Sequence, residues 1–255
     1  MSSYFLIISL RRCGSSYLMA EIDRFEGVYC CWEHVLRNKQ YLQKHHIQIH
    51  ENNFSFIESI GKLAGIEEFK GSKVTIMDFQ YDKISTVTKC AEKDWIKIIH
   101  IIRPIHEQMI SLKHAQYTGV WQIPGKNSNF PVELKDNKGY LNSSKILEPK
   151  LRCLSLDPEE VRTFCESISI IDSEIAKLRM TNPYYCVEYG KLSEKIGDIL
   201  KFIGAKKGDE FPSKVKAQGF GKVINVDHKT LVNNWSQVSP IFEHWGKKRE
   251  EWLLH

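Results

Sequence analysis

Short apolar runs alternate with amphipathic stretches along the chain. Runs rich in aromatic and branched side chains, bounded by polar or turn-forming residues, are typical of buried strands. Four such runs stand out: "YFLIISL" (4–10), "SKVTIMDFQY" (72–81), "WIKIIHII" (95–102) and "YYCVEY" (184–189). We predict a strand in each, the second starting after Gly71 and the third ending at Arg103.

Apolar residues at helical spacing follow most of these runs. Leu18, Ile22 and Phe25 fall on one face of a helix after the first strand. Similar spacing predicts helices near residues 53–64, from Ile105 onward, and over residues 195–203, where Gly204 ends the pattern. A C-terminal helix is predicted to start at Ser239–Pro240.

The start of one long helix is clearly indicated. Asp157 is a good N-cap, Pro158 suits the first helical position, and Glu160 completes a capping box. The apolar face of this helix is predicted to contain Val161, Phe164, Ile168, Ile171, Ile175 and Leu178.

This order of elements predicts an α/β fold with a mostly parallel central sheet and helices on both faces. We expect one domain over residues 1–255, in which periodicity fails over residues 117–150. A long irregular stretch in a compact domain is usually functional or disordered. Ligands of such sheets bind at the carboxyl ends of the strands, where "RRCGSSYL" (11–18) and "RPIHEQMIS" (103–111) both begin.

Composition narrows the class of protein. The chain has 255 residues, a net charge of +5 and no basic block, which fits an anionic ligand and argues against a nucleic-acid partner. Seven cysteines without metal-type spacing predict reduced thiols in a cytoplasmic protein, and no metal site is expected. The N-terminal apolar run is too short for a membrane span, although peripheral membrane contact stays open.

The segment "RRCGSSYL" has the features of an anion cradle. Gly14 allows a tight turn and close approach, Ser15 and Ser16 supply hydroxyls, and the following helix supplies unpaired N–H groups. A nucleotide-hydrolysing loop would need a lysine followed by a hydroxyl, which is absent. The cation here, Arg12, precedes the glycine. A Gly-Ser-Ser turn is also common without any ligand.

A second anion site is predicted at the next strand end. Arg103 ends "WIKIIHII", and Ser111 follows eight residues later in a predicted helix. A guanidinium can fork two phosphate oxygens while a hydroxyl adds a third contact. Taken alone, Arg103 could equally be half of a surface ion pair.

Together these segments resemble the PAPS-dependent sulfotransferases, which have an R/K-[ST]-G-[ST]-[ST] loop after the first strand and an Arg with a Ser eight residues later. "FKGSKVTI" (69–76) resembles the G-x-K strand of that superfamily. "SLKHAQYTGVWQ" (111–122) resembles a segment of the bacterial trehalose and nodulation-factor carbohydrate sulfotransferases. "VEYGKLSEKIGDILKFIGA" (187–205) and "LVNNWSQV" (231–238) match later motifs in the right order.

The resemblance implies a P-loop-like fold and transfer of a sulfuryl group from PAPS to a hydroxyl of a carbohydrate or glycolipid, leaving PAP. Its implied donor-binding residues are Arg12, Cys13, Gly14, Ser15, Ser16, Tyr17, Arg103, Ser111, Lys214 and Gln218. Departures include Cys13 in place of a hydroxyl residue and His106 where many relatives have a cation. The 117–150 stretch becomes the candidate acceptor lid.

Sulfuryl transfer needs a base for the acceptor hydroxyl and a cation for the departing oxygen. Arg12 is the expected cation; Arg11 is the alternative, although strand alternation would point it elsewhere. The resemblance places the base in "CCWEHV" (30–35), at Glu33 or at the neighbouring His34. Two other functions stay open: a non-catalytic PAP-binding module of the same fold, or a small-molecule kinase. The acceptor and the oligomeric state are also open.

Overall fold

The computed structural model describes residues 3–25, 27–31, 69–76, 93–118, 123–124, 153–205, 220–221 and 227–254. Its strands are β1 Ser3–Leu10, β2 Val28–Cys31, β3 Phe69–Ile76, β4 Ile96–Ile102, β5 Ile123–Pro124, β6 Tyr184–Glu188 and β7 Phe220–Gly221. Its helices are α1 Ser15–Ile22, α2 Ile105–Thr118, α3 Pro158–Ala176, α4 Leu192–Ile203 and α5 Trp235–Leu254. Within these described ranges, three short 3₁₀ helices lie at Lys177–Met180, Tyr189–Lys191 and His228–Leu231.

The chain divides into two compact units. The first contains Met1–Ile102 and Glu174–Val215, and the second contains Arg103–Ser173 and Lys216–His255. The earlier expectation of one domain over 1–255 stays a prediction. The predicted helix near 53–64 and nearly all of the 117–150 stretch lie outside the described residues.

The first unit is built on a five-stranded parallel sheet in the order β2-β3-β1-β4-β6. At its centre, Ile7 of β1 is paired with Lys73 of β3 and Ile99 of β4. Tyr4 through Ile8 are at most 3% exposed. A continuous apolar run of this kind is expected of a strand covered on both faces, so the predicted α/β fold with a mostly parallel sheet is confirmed.

Helices α1 and α4 pack in the first unit, against each other and against strands of the sheet. The buried apolar side chains of α1 are Leu18, Met19 and Ile22. Helix α4 ends as predicted at Gly204, whose φ of 96° is left-handed. Its carboxyl end is also capped by Lys97 Nζ, which donates to the carbonyl of Ile203 at 2.9 Å.

The second unit contains α2, α5, the N-terminal part of α3 and the antiparallel pair β5–β7. Leu154 and Val232 form a parallel bridge. Asn234 extends this bridge, because its side-chain oxygen accepts from the Leu156 N–H at 3.0 Å and its Nδ2 donates to the Leu156 carbonyl at 2.7 Å. The "LVNNW" segment is therefore tied to the chain that leads into α3.

The predicted start of α3 is confirmed at Asp157, whose carboxylate accepts from the N–H groups of Glu159 and Glu160. The capping-box role of Glu160 is wrong: its carboxylate pairs with Lys113 of α2. The Lys113 ammonium and the backbone N–H of Asp157 compete for the Glu160 carboxylate, and water can bind the N–H in place of Glu160.

Two element starts differ from prediction. Strand β3 begins at Phe69, before Gly71, because Ser3 and Val28 both pair with Phe69. Helix α5 begins at Trp235 and contains Pro240. The proline removes one hydrogen bond of the helix, but burial of Val238 and Phe242, with Trp235 stacked on Phe242, favours continuing the helix through it.

Within the described ranges, no helix combines the length and apolarity that crossing a membrane requires.

Candidate functional site

The cradle after β1 is formed by two left-handed residues. Arg12 has a φ of 64° and Gly14 a φ of 81°. Gly14 precedes α1, and its carbonyl accepts the N–H of Leu18 at 3.0 Å. Turns of this kind direct successive N–H groups to one side, and the helix N-terminus adds its positive dipole end. The segment can therefore bind an anion through its backbone.

Gly14 is also enclosed by another part of the first unit. A Cβ on Gly14 would lie 2.6 Å from Cδ2 and 2.7 Å from Cε2 of Tyr189. These distances show that the Tyr189 ring packs against the cradle. Tyr189 is the first residue of the 3₁₀ helix that follows β6. Tyr189 was not among the predicted site residues. The available signal was its position as the last residue of the predicted strand "YYCVEY", at the carboxyl end of a parallel strand.

The cradle side chains differ in exposure. Cys13 and Ser15 are buried, whereas Arg12, Ser16 and Tyr17 are half-buried. Cys13 Sγ contacts the Arg11 carbonyl at 3.7 Å, so the thiol lies back against the turn. Strand alternation does not orient the side chain of Arg11, because β1 ends at Leu10 and Arg11 lies in the turn.

The hydroxyl of Tyr17 stays protonated near neutral pH. Burial raises the pKa of Tyr17, and the carboxylate of Glu21 raises it further. A protonated phenol can donate a hydrogen bond to an anion.

In the second unit, Arg103 is buried with 6% of its surface exposed. Its Nε donates to Glu107 Oε2 at 3.2 Å, and its Nη2 lies 3.1 Å from His228 Nε2. Ser111, eight residues on in α2, is also buried. Arg103 therefore does form an ion pair, with Glu107, but its own side chain is buried and not exposed at the surface.

A second buried arginine supports the backbone of Arg103. Arg249 Nη1 donates to the Arg103 carbonyl at 2.5 Å, and Arg249 Nη2 pairs with Asp172 at 2.5 Å. Arg249 and Asp172 are both buried. Asp172 of α3 and Arg249 of α5 thus hold the backbone of Arg103, which lies two residues before α2.

The histidines near Arg103 are neutral at physiological pH. Burial, with the Arg103 charge, lowers the pKa of His228 to about 4. Burial also lowers the pKa of His106, whose ring contacts Trp235 and Phe242 with centroids 5.7 and 6.1 Å away. His106 therefore does not supply the cation that many sulfotransferases have at this position.

We expect the stability of the protein to fall as the pH drops from 6.5 to about 4, the interval between the unfolded and folded pKa values of His228. His228 has an ordinary pKa of 6.5 when unfolded and about 4 when folded, so the unfolded chain binds a proton that the folded chain refuses. Above pH 6.5 the neutral His228 leaves the free energy of unfolding at its full value. At pH 5 the free energy of unfolding is lower by about 2 kcal/mol on account of this residue. Lowered pKa values of His106 and His114 act in the same direction.

Urea unfolding at pH 7.5 and pH 5.0 measures this loss. His228→Gln cannot titrate and should show a smaller difference between the two pH values than the wild-type protein. An equal difference in both proteins would contradict the assignment to His228.

The structure thus places the sequence-predicted residues in two groups. Arg12, Cys13, Gly14, Ser15, Ser16 and Tyr17 form the cradle of the first unit, and Arg103 and Ser111 belong to the second. Glu33, His34, Lys214 and Gln218 lie outside the described residues. Among the described side chains, no group of three His, Cys, Asp or Glu residues could hold a metal ion.

The parallel sheet with a glycine turn leading into α1 has the P-loop-like fold of sulfotransferases. Two solved structures share it. A sulfotransferase from Alicyclobacillus acidocaldarius is 10% identical with a TM-score of 0.54, over 100% of this chain and 97% of that chain. Mouse sulfotransferase SULT7A1, solved with PAP, is 13% identical with a TM-score of 0.50, over 98% and 89% of the two chains. At such identities the likeness establishes the fold.

No family model matches the sequence, and no curated protein matches it.

Proposed function

We propose that this protein is a sulfotransferase that moves the sulfuryl group of PAPS to a hydroxyl acceptor. The observation that carries the proposal is the cradle: a glycine turn with left-handed Arg12 and Gly14 at the N-terminus of α1. It offers N–H groups, hydroxyls and a guanidinium to an anion, without the lysine of a nucleotide-hydrolysing loop. The sulfotransferase fold supports the proposal, and one protein of that fold was solved with PAP.

The cradle residues fit the 5′-phosphosulfate end of the donor. Backbone N–H groups from Cys13 to Ser16 and the hydroxyls of Ser15, Ser16 and Tyr17 would bind its oxygens. This explains why Cys13 is acceptable in place of a hydroxyl residue, since the position acts through its N–H. Arg12 would stabilise the negative charge on the bridging oxygen as the S–O bond breaks.

The 3′-phosphate of the donor is assigned to Arg103 and Ser111. A buried guanidinium binds a phosphate more strongly than an exposed one, because water competes less for its donors. Glu107 offsets part of the charge of Arg103, whereas His106 and His228 add none. Lys214 and Gln218 are proposed, from the resemblance alone, to close over the nucleotide.

Transfer is proposed to be an in-line displacement. The acceptor oxygen forms a bond to sulfur while the bond from sulfur to the bridging oxygen of PAPS breaks, and PAP leaves. The acceptor proton passes to Glu33, with His34 as the alternative base. Positioning and charge stabilisation account for the rate, as they do in phosphoryl transfer.

A carbohydrate or glycolipid hydroxyl is the proposed acceptor. This rests on the resemblance of "SLKHAQYTGVWQ" to the carbohydrate sulfotransferase branch, and on the 117–150 stretch as acceptor lid. A panel of oligosaccharides and glycolipids, compared with phenols and peptides, tests the acceptor class separately from donor use.

Thermal shift with nucleotides tests the donor. A ligand at a hundred times its Kd stabilises the folded protein by about 2.7 kcal/mol, so PAP should raise the Tm by several degrees. AMP, ADP and ATP lack the 3′-phosphate and should raise it less. A larger shift with magnesium and ATP than with PAP would favour a kinase.

Labelled-sulfate transfer from PAPS tests catalysis. Arg12→Ala should slow transfer about a hundredfold, because the charge on the departing oxygen loses its cation. Glu33→Gln should lose turnover while keeping PAP binding. Arg162→Ala is the matched control, since Arg162 is an exposed residue of α3. PAP binding with no transfer to any acceptor, in the wild type as in Glu33→Gln, would indicate a non-catalytic nucleotide-binding module.

A further inference from the structure

We infer that His228 is a positioning residue that orients the Arg103 guanidinium toward the 3′-phosphate of the donor and so sets the preference for 3′-phosphorylated nucleotides. This inference rests on the proposed function. It adds a residue from a distant part of the chain that acts through Arg103, without touching the nucleotide itself.

The first support is the number of contacts that fix Arg103. Glu107 accepts from Nε at 3.2 Å, and His228 Nε2 lies 3.1 Å from Nη2. Arg249 donates to the backbone carbonyl of Arg103. The two contacts are to different nitrogens, Nε near the stem of the side chain and Nη2 at its outer end. The His228 contact orders the outer end beforehand, which reduces the cost of binding.

The second support is the direction of the hydrogen bond. A guanidinium only donates, so Nε2 of His228 must be the unprotonated ring nitrogen and accept from Arg103. The low pKa of His228 agrees with this neutral form. A neutral acceptor orients the guanidinium without cancelling the positive charge that a phosphate needs. A second carboxylate in its place would orient Arg103 and also neutralise it.

The third support is the rigidity of the segment that carries His228. Asp227 caps the 3₁₀ helix His228–Leu231, because its carboxylate accepts from the Lys229 N–H at 3.0 Å and its carbonyl accepts from Thr230 Oγ1 at 2.7 Å. The bridge between Leu154 and Val232 follows at once. The imidazole is therefore presented from a fixed backbone, as a positioning group requires.

The test compares PAP with AMP, two nucleotides that differ only in the 3′-phosphate, by calorimetric titration. The matched variants are His228→Gln and His228→Asn, since the Gln oxygen can reach the position of Nε2 and the shorter Asn cannot. His228→Gln should keep the wild-type ratio of PAP to AMP affinity. His228→Asn should lower that ratio about three- to tenfold by weakening PAP alone. His244→Asn, at an exposed position of α5, should change neither affinity.

The outcomes separate the inference from the proposed function. If wild-type protein binds PAP no better than AMP, the 3′-phosphate site fails, and the inference fails with it. If the wild type prefers PAP and Arg103→Ala abolishes the preference, but His228→Asn leaves the ratio unchanged, only the role of His228 is overturned. Equal weakening of PAP and AMP in His228→Asn would indicate a purely structural residue and also overturn it.

Discussion

Replacing Arg249 with Met is expected to lower the free energy of unfolding by about 3–5 kcal/mol, because it leaves a buried carboxylate without its guanidinium. Asp172 has 1% of its side chain exposed and Arg249 has 6%. The substitution also removes the donor to the Arg103 carbonyl. Urea unfolding at pH 7.5 measures the change, and PAP affinity should fall in the same variant because the backbone of Arg103 loses a support.

The matched control is Arg162→Met on α3. Arg162 pairs with Glu159 at 3.3 Å, but 57% of its side chain is exposed, so its loss should cost no more than about 1 kcal/mol. A second arm replaces both partners of the buried pair. Arg249→Met combined with Asp172→Leu should recover part of the lost stability, since neither charge of this pair is then left buried without its partner. A double variant less stable than Arg249→Met alone would contradict this account.

Replacing Gly14 with Ala is expected to cost about 2–5 kcal/mol and to prevent PAP binding. A non-glycine residue in the left-handed region costs about 1–2 kcal/mol, and forcing a methyl group into packed surroundings costs about 1–3 kcal/mol more. The new Cβ would lie 2.6 Å from the Tyr189 ring. Either the ring or the turn must move, and movement of the turn displaces the N–H groups of the cradle.

Gly27 provides the control, because its φ of 79° is also left-handed but nothing lies within 4 Å of the position of a Cβ. Gly27→Ala should therefore show only the backbone cost of about 1–2 kcal/mol. A double-mutant cycle with Tyr189→Ala isolates the steric part, and the coupling should be about 1–3 kcal/mol. Equal losses for Gly14→Ala and Gly27→Ala would show that the ring contact does not matter.

Much of the sheet could be predicted from local patterns. Residues 4–8 of strand β1 form a continuous apolar run, and β4 is mostly isoleucine, as expected of strands covered on both faces. The start of α3 depended on Asp157 and Pro158, two residues that act on adjacent backbone groups. The glycine turn before α1 was predicted for the same reason, since the left-handed conformation of Gly14 is a local property.

Predictions failed where neighbours distant in sequence compete with a local preference. Glu160 pairs with Lys113 of α2 instead of closing a capping box. Pro240 lies inside α5 because apolar burial of its neighbours outweighs one lost hydrogen bond. The expectation for Arg11 failed for a local reason instead: Arg11 lies beyond the end of β1, so strand alternation does not apply to it.

The amino-acid sequence by itself determined the parallel α/β architecture and the positions of the two segments proposed to bind anions, since strand burial, helix caps and glycine turns depend on residues close together in the chain. The tertiary structure alone decided what surrounds those segments: Tyr189 against Gly14, His228 beside Arg103, and Arg249 between Asp172 and the Arg103 backbone. These partners are separated by 77 to 175 residues, so only packing brings their side chains within contact distance.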